Sequence, residues 1–127
     1  MMKEENMLSR PVVLLVDDNE EILDFISDAL SEKYNVLTAR DGEKALQILN
    51  EHCVHLVVSD IMMPVIDGFE LCTKIKTEFE LSHIPVILLS AKNSLQSRIE
   101  GLELGADAYI EKPFSPEHLQ VQIANLL

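Results

Sequence analysis

The 127 residues leave room for one domain with one hydrophobic core, and the apolar residues, 47% of the total, never form the ~20-residue run of a membrane span. The first ten residues lack the apolar centre of a secretory signal, so a cytoplasmic location is expected. With 22 acidic against 10 basic side chains, a formal charge of −12, the chain repels a phosphate backbone, and no Lys/Arg cluster reverses that locally, so direct nucleic-acid binding is not expected.

Met1 to Ser9 show no periodicity, which predicts a flexible leader over residues 1–10 and a folded domain over 11–127. From Pro11 onward, short apolar runs alternate with segments of helical period, the rhythm of βα units around a parallel sheet. The first strand is expected at Val12–Val16, and Ile22, Leu23, Ile26, Ala29 and Leu30 after it recur three and four residues apart, as one buried helix face does. A second strand at Asn35–Ala39 ends without an acidic or hydroxyl group, which suits a sheet edge, and Asp41 is a start signal for the second helix. Cys53 has no partner at metal or redox spacing and, like Cys72, reads as a small buried hydrophobe.

The third strand, Leu56–Ser59, and the fourth, Ile84–Leu89, are almost continuously apolar, as is the first, which predicts central strands covered on both faces. Asp67 with Glu70 is a capping pattern before the third helix, and that role explains Asp67 without placing it in a site. A fourth helix over Ser94–Leu104 closes on Gly105, a residue suited to a left-handed helix end. The fifth strand, Ala108–Glu111, is followed by Ser115-Pro116, a start signal for the last helix. His52, His55, His83 and His118 have no metal-ligand spacing and are assigned no role.

An open parallel sheet binds its ligand outside the carboxyl ends of its strands, at the point where strand order reverses. There this chain has Asp17 and Asp18, Asp60, Ser90 and Lys112. Carboxylates converging there repel each other by roughly 4 kcal/mol per pair at ~4 Å in an effective dielectric near 20. A divalent cation offsets that, and all-oxygen ligation with retained waters is the habit of Mg²⁺. One carboxylate, Asp60 by its central place, can then act as nucleophile towards phosphorus, and the carbonyls of the following Ile61-Met62-Met63-Pro64 can complete the metal shell. Lys112 offers an ammonium and Ser90 a hydroxyl donor for phosphoryl oxygens.

Asp17-Asp18, Asp60 with Met62-Met63-Pro64 and Asp67-Gly68, Ser90-Ala91-Lys92, and Lys112-Pro113-Phe114, in that order after successive apolar strands, resemble the receiver domain of two-component response regulators. The resemblance runs from about Pro11 to the end. It implies an α/β, flavodoxin-like (CheY-like) fold of five parallel strands in the order 2-1-3-4-5 with five helices on both faces. By position it implies Asp60 as phosphoacceptor, Asp18 as direct metal ligand, Asp17 as a ligand partly through water, and the Met62 carbonyl as another, around Mg²⁺. Ser90 stands where a hydroxyl turns towards the phosphoryl group, Lys112 where a lysine contacts it, and Tyr109 where an aromatic swings inward with Ser90. Lys112-Pro113 is implied to be cis, against the ~5% frequency of such bonds.

The expected activity is acceptance of a phosphoryl group from a phosphohistidine of a histidine kinase or phosphotransfer domain onto Asp60, with later hydrolysis, the domain helping to catalyse both steps. The surface change should appear around the fourth helix, the fifth strand and the last helix. Two other classes share the sheet. A flavodoxin-type electron carrier needs a hydroxyl- and glycine-rich loop where this chain has two aspartates, and a phosphorylation-independent interaction module tends to lose an acid or the lysine, whereas this chain has all of them. The acidic leader and the end at Leu127 within a helical pattern fit a segment of a larger regulator or hybrid kinase.

Overall fold

The structure, a computed structural model, describes residues 10–91 and 95–127. The leader expected over residues 1–10 lies outside them apart from Arg10, as do Lys92 and Ser94. Five βα units follow in order: β1 (Val12–Val16), α1 (Glu20–Leu30), β2 (Asn35–Ala39), α2 (Gly42–Glu51), β3 (Leu56–Asp60), α3 (Gly68–Thr77), β4 (Val86–Ser90), α4 (Leu95–Glu103), β5 (Ala108–Glu111) and α5 (Pro116–Leu126). All pairings are parallel and the strand order is β2-β1-β3-β4-β5, as expected, with β2 at an edge. Among the described residues no helix is long and apolar enough to cross a membrane.

Alternation along the strands splits the core in two. Leu14, Val16, Val57 and Leu88 point to a cluster with Ala45, Leu49, Leu71 and Ile75 of α2 and α3. Val13, Leu15, Val58, Ile87 and Leu89 point to the opposite cluster, closed by Leu23, Ile26 and Leu30 of α1 and Leu119 and Ile123 of α5. Each such fully buried aliphatic side chain contributes about 1.5–3 kcal/mol, which is why β1, β3 and β4 carry unbroken apolar runs.

The start signals at Asp41, Asp67 and Ser115 hold: each occupies the N-cap of its helix and accepts a backbone N–H, and Pro116 opens α5. Asn19 caps α1 in the same way. Gly105 adopts φ +100°, and Lys112-Pro113 is cis. Two readings need correction. The fourth strand begins at Val86, not Ile84, because Ile84 is buried from a turn in which its N–H donates to the Leu81 carbonyl. Cys53 is exposed, although Cys72 is buried: in the extended entry to β3, Val54 takes the inward position and turns its neighbour out.

One polar pin ties three segments beneath the sheet. The Lys76 ammonium donates to the Ile84 carbonyl at 2.7 Å and pairs with Asp107 at 2.9 Å, while Asp107 accepts the Val86 N–H at 2.8 Å. Replacing Lys76 by Met keeps the stem and removes the charge-assisted bonds. With the pair partly solvated, the expected cost is about 1 kcal/mol, read as a lower urea midpoint with an unchanged denaturant slope.

Candidate functional site

The carboxyl ends of β1 and β3 lie side by side, with Val16 paired to Ser59, so the residues that follow them meet. Asp17, Asp18 and Asp60 each place a carboxylate oxygen so that all three lie within 4.8 Å of one another. The Lys112 ammonium reaches over from the end of β5, 2.9 Å from Asp60 Oδ1 and 3.5 Å from Asp17 Oδ2. Four of the residues singled out from sequence thus converge.

Asp17 is held by its backbone. Its N–H donates to the Ala39 carbonyl and its Oδ1 accepts the Asn19 N–H at 2.9 Å. Asn19, not Asp18, caps α1, which leaves Asp18 exposed at the rim. Asp17 Oδ2 is buried with no hydrogen-bond partner, the ammonium at 3.5 Å being too distant for a good one. Burial raises the Asp17 carboxyl above its ordinary range, and the Asp60 and Asp18 charges add to this against the Asn19 N–H and Lys112. For Lys112, burial pulls downwards, but the hydrogen bond and charge of Asp60 prevail and raise it.

Asp60 is 6% exposed and stands beside the exposed Asp18 at the open end of the sheet. Its backbone is fixed from both sides. The Ile61 N–H donates to the Leu89 carbonyl, the Ser59 hydroxyl donates to the Asp60 carbonyl at 2.9 Å, and Gly68 closes against it from α3 with its N–H on the Ile61 carbonyl. Ser59 was not singled out from sequence, and Gly68 only as part of the Asp67-Gly68 motif of the resemblance. Among the candidates, Ser90 is buried at the end of β4, where its carbonyl accepts the Lys112 N–H at 2.7 Å. Met62 follows Asp60 in the β3–α3 loop with an exposed side chain. In the same loop Val65 holds φ +68°, unusual for a β-branched residue. Tyr109 is half-buried on β5, with the Arg98 guanidinium 5.8 Å above its ring and paired to Glu111.

The donor set fits a hard dication: an orphaned buried carboxylate oxygen and two more carboxylates, all oxygen. Without a cation the Asp17 charge costs stability. Its raised folded-state value means that this cost is absent below the unfolded carboxylate range and is imposed as pH rises through the raised value. Asp17→Asn is therefore expected to raise the metal-free Tm at neutral pH by roughly 2–6 °C, on the order of 1 kcal/mol, and to reduce the Tm gain from added Mg²⁺. Melts with and without the ion test both.

A family model for the response regulator receiver domain matches residues 13–124. Among curated proteins, the chain is 42% identical over 118 residues to "Histidine kinase P4" of Formosa agariphila and 44% identical over 121 residues to "Probable transcriptional regulator ycf27" of Cyanophora paradoxa. These alignments take in 93% and 94% of this chain but 9% and 49% of those proteins, so the chain spans half or less of their length. Among solved structures, the receiver domain of Francisella response regulator 1452 is 37% identical with a TM-score of 0.85, covering 91% of this chain and 95% of that one. The Vibrio cholerae chemotaxis protein CheY4 is 32% identical with a TM-score of 0.88, covering 94% of this chain and all of that one.

Proposed function

The chain belongs to the response regulator receiver domain family of two-component signalling, and from that premise we propose that Asp60 accepts a phosphoryl group from a phosphohistidine on a histidine kinase or phosphotransfer protein. The observation that carries this reading is the Lys112 ammonium on Asp60 within a cluster of three carboxylates at the sheet's open end. An Asp60 carboxylate oxygen attacks phosphorus, the P–N bond breaks, and the imidazole nitrogen keeps the electron pair. The acyl phosphate is later hydrolysed by water.

Asp17, Asp18, Asp60 and the Met62 carbonyl would hold Mg²⁺, which when bound neutralises charge on the phosphoryl oxygens. Lys112, already hydrogen-bonded to Asp60, follows the new group. The Ser90 hydroxyl donates to another of its oxygens, a charge-assisted bond of about 1.5–3 kcal/mol. Reversing a 1:99 equilibrium takes roughly 5.5 kcal/mol, so Lys112 and repacking of Tyr109 supply the remainder. The readout surface is α4, β5 and α5, and the setting is cytoplasmic. Retention of every acid and of the lysine opposes a phosphorylation-independent module.

Incubation with acetyl phosphate and Mg²⁺ should add one phosphoryl group per chain by intact mass, and excess EDTA should prevent it. No incorporation from acetyl phosphate or from a phosphorylated kinase, with Mg²⁺ present, would overturn the proposal.

A further inference from the structure

We infer, resting on the reading of the Met62 carbonyl as an Mg²⁺ ligand, that Ile66 is a positioning residue for the cation site. Seated on Gly42 at the start of α2, it holds the β3–α3 loop in a strained turn and so fixes the backbone that carries Met62.

Two three-residue turns shape this loop. The Met63 N–H donates to the Ile61 carbonyl at 3.1 Å across Met62, and the Ile66 N–H donates to the Pro64 carbonyl at 2.8 Å across Val65. Val65 stands at φ +68°, the only described non-glycine residue with a positive φ, so its turn is the rare, strained form of the three-residue turn. Nothing in Val65 itself compensates: a β-branched residue is disfavoured there, and at 79% exposure it gains little by burial. The conformation is therefore held by the residues around it.

Both ends of the loop are pinned. At the β3 end, the Ile61 N–H donates to the Leu89 carbonyl, and the Ile61 carbonyl accepts the Gly68 N–H at 2.9 Å. At the other end, Ile66 is half-buried against the core cluster that includes Met63 and Leu71. It fills the space over Gly42, where a Cβ would lie 2.8 Å from Ile66 Cβ and Cγ2 and 3.2 Å from the Ile66 carbonyl oxygen. Only glycine leaves that space. The seat is firm, because Asp41 caps α2 by accepting the Lys44 N–H at 2.8 Å and Ala45 and Leu49 lie in the core. Met62 lies between the two pins, and its carbonyl accepts no hydrogen bond from the described residues, so the turns alone set its direction. Without the Ile66 seat, the strained turn at Val65 relaxes and the segment carrying Met62 loses its fixed course.

The test is Mg²⁺ titration of the full chain followed by amide NMR shifts, with the metal-free Tm measured alongside. Ile66→Ala should weaken Mg²⁺ binding about tenfold, the lower end of what lost support behind a ligand costs. Ile66→Val, which keeps Cβ and both γ carbons, should bind as the wild type does. Val65→Gly removes the strain and, combined with Ile66→Ala, should recover much of the lost affinity, which a general loss of packing would not allow. Gly42→Ala, which keeps Ile66 but displaces it, should also weaken binding, and it decides the matter if Ile66→Ala does not fold. Wild-type affinity in Ile66→Ala or Gly42→Ala, equal weakening by Ile66→Val, or no recovery through Val65→Gly would overturn the role of Ile66 and leave the aspartate site standing. A wild-type chain that binds no Mg²⁺ would overturn both.

Discussion

Gly68→Ala should destabilise the domain by about 2–4 kcal/mol, at the upper end of overpacking costs. An added Cβ would lie 2.4 Å from the Asp60 carbonyl oxygen and 2.7 Å from Ile61 Cα. Both are backbone atoms at the carboxyl end of the central strand β3, held there by the Ile61 N–H on the Leu89 carbonyl, and they cannot step aside as a side-chain end does. The start of α3 must move instead, and with it the backing of Asp60. Gly101→Ala is the control. In α4 the new methyl would meet only side-chain atoms of Leu88, Tyr109 and Phe69 at 3.2–3.3 Å, and helix propensity favours alanine by about 1 kcal/mol, so little net change is expected. Helix propensity alone would stabilise both variants. Urea denaturation of the pair decides, and equal midpoints would mean that α3 can shift away from β3 at little cost.

Asp60→Asn should abolish phosphoryl incorporation, a loss of at least about 10⁴-fold as expected when a nucleophile is removed. The amide preserves shape but has no carboxylate oxygen to attack phosphorus. Lys112 keeps its weaker contact with Asp17 at 3.5 Å, so the fold should survive and the loss is chemical. Asp18, exposed at the rim, is the nearest substitute, and mapping any residual label to it would still leave Asp60 as the principal acceptor. Full stoichiometry in Asp60→Asn would refute the assignment. Intact mass after acetyl phosphate treatment, with melts of both proteins, separates these outcomes.

Much of the fold was legible because each signal had one physical cause. Continuous apolar runs in β1, β3 and β4 reflect burial on both faces, the lack of an acidic or hydroxyl group at the end of β2 fits its edge position, and Asp41, Asp67 and Ser115 stand where orphan N–H groups need acceptors. The carboxylate set was legible because a parallel sheet brings its strand ends to one rim. Ile84 misled because a buried turn residue is as apolar as a strand residue. Cys53 misled because its burial was judged from residue type, whereas the alternation of Val54 and Leu56 would have turned it outward. Ser59 carried no motif and Gly68 only the Asp67-Gly68 dipeptide of the resemblance, so what each does against the Asp60 backbone appears only where α3 closes on β3.

The helices are not equally anchored. Alpha-3 buries Gly68, Leu71, Cys72 and Ile75, and α1 buries Leu23, Ile26 and Leu30, whereas α4 buries only Gly101 and leaves Leu95, Ile99 and Leu102 exposed. A helix with so little apolar area in the core has little to lose on opening. In deuterated solvent its amides should therefore be the first helical ones to exchange, well before those of α1 and α3, which makes this the cheapest part of the molecule to rearrange.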